Sequence, residues 1–166
     1  MNATQIVVGP GDGRTVEFGG LGARFLVDAA ASGGGFALVE HPLAARTLGA
    51  PLHVHEHEDE YSFVLEGEVG VQVGDEIHYA RPGDLVIKPR GVAHAFWNRT
   101  EAPARLLEII SPAGFERYFE DIAPLLPPAR PAPDFEGLAS VMARYGLQMD
   151  FESIATISAR EGLRAD

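Results

Sequence analysis

From Gln5 to Ile110 the apolar residues fall in short or alternating runs, broken every few positions by Gly, Pro or Asp, and no segment keeps a helical period. The runs predict strands at Gln5–Val8, Thr15–Phe18, Ala23–Asp28, Phe36–His41, Leu52–His55, Glu60–Glu66, Val69–Val73, Ile77–Tyr79, Asp84–Ile87, His94–Asn98 and Arg105–Ile110. Glu66-Gly67-Glu68 and Gly74-Asp75-Glu76 each place turn-permitting residues between strand-like runs, as tight hairpins need. Short strands at this spacing predict an all-β sandwich, barrel or jelly roll of two packed antiparallel sheets, with helices only at the C-terminal end.

The period changes after Ile110. Ser111 and Pro112 suit a helix start, and Phe115, Tyr118, Phe119 and Ile122 follow at i, i+3, i+4 and i+7, up to a stop at Pro124. The proline-rich stretch from Pro124 to Pro133 predicts an extended strap. A second helix is expected with Asp134 as cap, an apolar stripe of Phe135, Leu138, Val141, Met142 and Tyr145, and Gly146 as terminator. Beyond Gln148 no pattern is legible, and the Glu161–Asp166 tail is expected to be disordered. Residues 1–111 are thus expected to form the β-domain, with 112–166 a helical extension packed on it.

The densest group of metal-capable side chains, His53-Val-His55-Glu-His57-Glu-Asp-Glu60, lies inside this β pattern. Alternate strand residues share a face, so His53 and His55 project to one side. Glu60 follows after enough residues for a turn to bring the next strand back. His94 comes from a distant strand, after the turn residues Pro89-Arg-Gly91. A pair made of His55 and His57 would also share a face if the strand continued, although the spacing to Glu60 favours His53 and His55. A cation held by three neutral imidazoles leaves charge uncompensated, which favours the Glu60 carboxylate as the fourth ligand. His41, His57 and His78 taken singly read as core or surface groups.

These residues resemble the two motifs of the cupin superfamily. His53, His55, Glu60 and Gly67 have the spacing of the first motif, and Gly83, Pro89, Gly91, His94 and Asn98 that of the second. One departure is Thr47, where the family pattern has a glycine; the nearest is Gly49. The resemblance, to small bacterial single-domain cupins of the quercetinase-like type, implies a double-stranded β-helix, or jelly-roll barrel, with short C-terminal helices. It also implies one divalent transition metal (Fe, Mn, Ni, Co, Cu or Zn) on His53, His55, Glu60 and His94.

Composition narrows the chemistry. The chain has no cysteine, so any metal must be held by nitrogen and oxygen. A formal charge of -11, with the arginines scattered and Lys88 the single lysine, argues against nucleic acid or an anionic membrane as partner. Met1 to Phe18 has no basic start leading into a long apolar run, and no run of about 18 apolar residues occurs. A soluble, cytoplasmic location is expected.

The cupin resemblance implies a dioxygenase that holds a small enol, phenolic or diketone substrate beside O2, with Glu60 as the candidate catalytic base or hydrogen-bond partner. The alternatives are a non-redox isomerase or lyase of a sugar or keto acid, and a non-catalytic ligand-binding module. A sugar phosphate would need convergent cations, for which Lys88, Arg90 and Arg99 are the candidates, although a solvated rim is the favoured reading of all three. Phe96 shares a face with His94 and is a candidate pocket wall, Asn98 a backbone-bonding residue, and Trp97 points the other way. Tyr61, Phe63 and Leu65 make an apolar face opposite Glu60 that needs covering by the N-terminal strands, the helices or a second copy of the chain, and a homodimer is the preferred cover.

Overall fold

A computed structural model describes residues 7–126 and 134–164. Among the described residues eleven strands form two antiparallel sheets: β1 (Arg14–Phe18), β2 (Leu21–Val27), β3 (Ala37–Leu43), β4 (Thr47–His55), β5 (Asp59–Glu66), β6 (Val69–Val73), β7 (Glu76–Ala80), β8 (Leu85–Lys88), β9 (His94–Asn98), β10 (Ala104–Ser111) and β11 (Leu147–Met149). One sheet runs β1-β2-β3-β10-β5-β8 and the other β11-β4-β9-β6-β7. Their inner faces enclose a core that includes Phe25, Val39, Val64, Val71, Leu106 and Ile110. This is a double-stranded β-helix. No helix among the described residues is long and apolar enough to cross a membrane.

The helices are α1 (Ala29–Ser32), α2 (Glu116–Ile122), α3 (Phe135–Arg144) and α4 (Ser153–Glu161). The stripe Phe115, Tyr118, Phe119 and Ile122 is buried in the main core, where each such side chain contributes about 1.5–3 kcal/mol. Asp134 caps α3 by accepting from the Gly137 N–H at 3.0 Å, and Gly146 follows the helix at φ 59°.

Several expectations are corrected. Helices are not confined to the C-terminal end, because Asp28 caps the single-turn α1 by accepting from the Ala31 N–H. Val7 and Val8 are not in a strand, while Gln5 and Ile6 lie outside the described residues. Ser111 belongs to β10, whose pairing with β5 extends to Ser111↔Asp59, so α2 begins only after the turn at Gly114. In the proline-rich stretch, Ala123–Leu125 is a 3-10 helix; residues 127–133 lie outside the described residues. β4 starts at Thr47, earlier than its pattern indicated, because irregularities between Leu48 and His53 absorb Pro51, which has no N–H to give to a ladder.

Gly67 does not close a hairpin. β5 and β6 lie in different sheets, so the glycine turns a corner between them at φ 74°, where a Cβ would press on Pro103 and Ala104. Gly74-Asp75 does close one, with Val73 opposite Glu76. At the C-terminus β11 adds to the edge of β4, and α4 packs Ile157 against Trp97 on the outside of the five-stranded sheet. That tail is ordered to Arg164, whose N–H donates to Arg46 O at 2.8 Å, because Gly162 terminates α4 in the left-handed region. Residues 165–166 lie outside the described residues.

Candidate metal centre

β4 carries His53 and His55 two residues apart on its inner face, and the pairing of β4 with β9 sets His94 directly opposite His53. The chain then leaves the five-stranded sheet, turns through Glu56-His57-Glu58 and returns on β5 with Glu60 facing inward. His53, His55, Glu60 and His94 are all buried, and one ligand atom from each lies within 4.8 Å of every other. His57 is exposed beyond the end of β4 beside Gly146 and is not in the cluster. His78 is exposed on β7 next to Glu76.

Backbone carbonyls orient two of the rings. His53 Nδ1 donates to Pro51 O at 2.8 Å and His94 Nδ1 to Val92 O at 3.0 Å. A carbonyl only accepts, so these contacts assign the proton to Nδ1 and leave the Nε2 lone pair for a ligand. Among the described residues neither ring nitrogen of His55 has a hydrogen bond; Nδ1 lies 3.6 Å from Glu58 Oε2 and Nε2 3.4 Å from Glu60 Oε1. Burial pushes His53 well below its ordinary pKa, reinforced by the neighbouring imidazoles, and burial lowers His94 against the opposing pull of Glu60. Glu60 is held well below the usual carboxylate range: burial alone would raise it, but Lys88, His55 and His94 outweigh that cost.

This donor set fits a divalent transition metal. His53 and His94 are kept neutral, the Glu60 carboxylate stays ionised, and the orphaned Nε2 of His55 is a buried polar atom that a cation would satisfy.

Lys88 is a correction. Expected on a solvated rim, it is instead wholly buried, with Nζ 2.9 Å from Glu60 Oε2 and 2.8 Å from Glu108 Oε2. Ser62 Oγ donates to the same Glu108 oxygen at 2.7 Å. Burial raises Glu108 to about 7, whereas Lys88 stays cationic because the two carboxylates outweigh its own burial. Arg90 and Arg99 are indeed on the surface, tied to Asp59 and Glu68. Asn98 bonds backbone as expected, donating to Ala102 O and accepting from the Thr100 N–H.

Above the cluster lies a cavity of about 860 Å³. Its walls include Phe18, Leu21, Phe96, Phe119, Leu138 and Met142, and it reaches α2, α3 and α4. Phe115 closes on His55, edge to face at 4.3 Å. Thr47, at the position where a motif glycine was expected, borders the cavity against Gly20, whose missing Cβ leaves room for the threonine side chain.

Sequence reasoning missed Glu58, Ser62, Glu108 and the place of His41 in the cavity wall. One signal was available: Glu108 interrupts the inward-facing series Leu106, Glu108, Ile110 of an otherwise apolar strand.

The family model for the cupin domain matches residues 42–110. Residues 42–110 therefore form a cupin domain. No curated protein matches it at a significant level. Among solved structures it is similar to a sugar phosphate isomerase of the cupin superfamily from Silicibacter pomeroyi, at 24% identity and TM-score 0.56 over 63% of this chain and 74% of that one. An RmlC-like cupin from Shewanella frigidimarina is 22% identical, with TM-score 0.56 over 66% of this chain and 93% of its own. The polyketide cyclase RemF from Streptomyces resistomycificus is 27% identical, with TM-score 0.56 over 65% of this chain and 80% of its own. The first two show the fold alone.

Proposed function

We propose that this cupin is a metal-dependent enzyme acting on an apolar, ring-bearing substrate that presents an enol, phenol or diketone oxygen pair, and that the reaction is a dioxygenation. The observation carrying this reading is the large apolar cavity lined at its polar end by His53, His55 and Glu60 of the cluster. Lys88 and Arg164 are the Lys and Arg side chains in that wall among the described residues, and Lys88 is already bound by two carboxylates, so a phosphorylated sugar finds little to hold it. A bound divalent metal would polarise the substrate oxygens and, if redox-active, engage O2.

The protein's own groups divide the remaining work. Glu60 commits Oε2 to the Lys88 ammonium, which leaves Oε1 as the oxygen able to take a proton from an enol hydroxyl. Lys88 keeps Glu60 ionised and oriented. Phe96 and Phe115 give the reacting end apolar walls that exclude water.

A second reading, ring closure or isomerisation without oxygen, is favoured by the likeness to a polyketide cyclase. The two separate in one experiment, in which anaerobically purified protein is loaded with single metals and given flavonols and 1,3-diketones at an oxygen electrode. Oxygen uptake matched to substrate loss and abolished in Glu60→Gln supports dioxygenation. Conversion without oxygen uptake supports the second reading. Binding with no conversion would overturn both in favour of a binding module.

A further inference from the structure

The cavity has a second polar wall. His53, His55 and His94 stand on the five-stranded sheet, whereas His41 projects inward from β3 of the six-stranded sheet and borders the same cavity. Its side chain is buried, with 2% of the residue exposed. Nδ1 lies 2.7 Å from Gly22 O, and since that carbonyl only accepts, the contact puts the proton on Nδ1 and the lone pair on Nε2. Phe119 meets the imidazole edge to face at 4.9 Å and Phe96 flanks it at 6.5 Å, so the ring is clamped in this orientation.

Nε2 has no hydrogen-bond partner among the described residues, and it is not among the polar atoms sealed from solvent, so it opens on the cavity. A buried acceptor aimed into an apolar space is costly unless something donates to it. Burial holds the imidazole at a pKa of about 4, against the opposing charges of Glu60 and Glu40 and with that of Lys88. So weak a base is a hydrogen-bond acceptor rather than a store for protons.

We propose that His41 is a specificity-determining residue whose Nε2 accepts a hydrogen bond from a substrate hydroxyl lying away from the metal-binding oxygens. This rests on the reading above that the cavity takes a ring-bearing substrate, and it narrows the class to compounds carrying a further ring hydroxyl. Aliphatic diketones and ring ethers would leave His41 unpartnered and be discriminated against.

The test uses phenol and anisole as probes, which differ in the hydroxyl hydrogen that His41 would receive. Protein as purified, labelled with 15N-histidine, is titrated with each while the His41 Nε2 resonance is followed. Phenol should shift that resonance toward a hydrogen-bonded value and bind about tenfold more tightly than anisole. In His41→Phe the two probes should bind alike, and His41→Gln, which keeps an acceptor, should restore part of the preference. Equal binding of both probes to the unsubstituted protein, a His41 signal that phenol leaves unmoved, or exclusion of both probes would each overturn the assignment. The labelled unsubstituted protein decides the matter even if His41→Phe fails to fold. An enzyme that converts diketones yet binds phenol and anisole alike loses only the role of His41. One that binds phenol at His41 yet converts nothing loses only the proposed reaction.

Discussion

Lys88 Nζ lies 2.8 Å from Glu108 Oε2, and both side chains are closed inside the barrel behind Glu60. Removing the cation would leave two carboxylates buried without compensation. Lys88→Met should therefore destabilise the metal-free protein by about 3–5 kcal/mol. The double variant Lys88→Met/Glu108→Gln should recover much of that loss. Urea unfolding of the three proteins checks this, and a double variant no more stable than Lys88→Met would show that the ion pair is not the source.

His53 and His57 lie four residues apart, but only His53 belongs to the buried cluster. His53→Ala should lose most bound metal, whereas His57→Ala should weaken affinity by no more than about 10-fold. Elemental analysis of both proteins, with circular dichroism as a control for folding, reads the difference. Metal lost from His57→Ala and kept by His53→Ala would shift the ligand set by two residues.

Acid should destabilise the metal-free protein through His41. Its pKa is 6.5 in the unfolded chain and about 4 when folded, because burial penalises the imidazolium. Below pH 6.5 the unfolded chain thus binds the extra proton, and stability falls as pH falls from 6.5 to about 4. The full contribution is about 3 kcal/mol, and His53 and His94 act in the same direction. Urea midpoints measured across that window should depend less on pH in His41→Gln. An identical dependence would assign the acid sensitivity to other groups.

Phe63, Leu85 and Ile87 are 37%, 52% and 58% exposed, on neighbouring strands where Phe63 faces Leu85 and Tyr61 faces Ile87 across the ladder. β8 is also an edge strand of its sheet. The homodimer expected to cover the Tyr61, Phe63 and Leu65 face would also cover this patch, and it predicts a solution mass of two chains by light scattering. Leu85→Glu/Ile87→Glu should convert it to one chain with metal content unchanged. A single-chain mass for the unsubstituted protein would remove the proposal.

The sequence by itself determined whatever depends on local geometry. Alternation along a strand puts His53 and His55 on one face, the Pro89-Arg-Gly91 turn delivers His94, and the helical spacing of Phe115, Tyr118, Phe119 and Ile122 marks the buried side of α2. The tertiary structure decided what depends on partners far away in the chain. Lys88 looks like a surface cation until β5 and β10 bring Glu60 and Glu108 to its ammonium group, since burial of a charge is tolerable only beside its opposite. Gly67 reads equally well as a hairpin or a corner, and only the pairing of β5 with β10 and of β6 with β9 chooses between them. His41 becomes part of the cavity wall because β3 happens to face the site across the barrel, a relation set by the closure of two sheets and carried by no pattern along the strand itself.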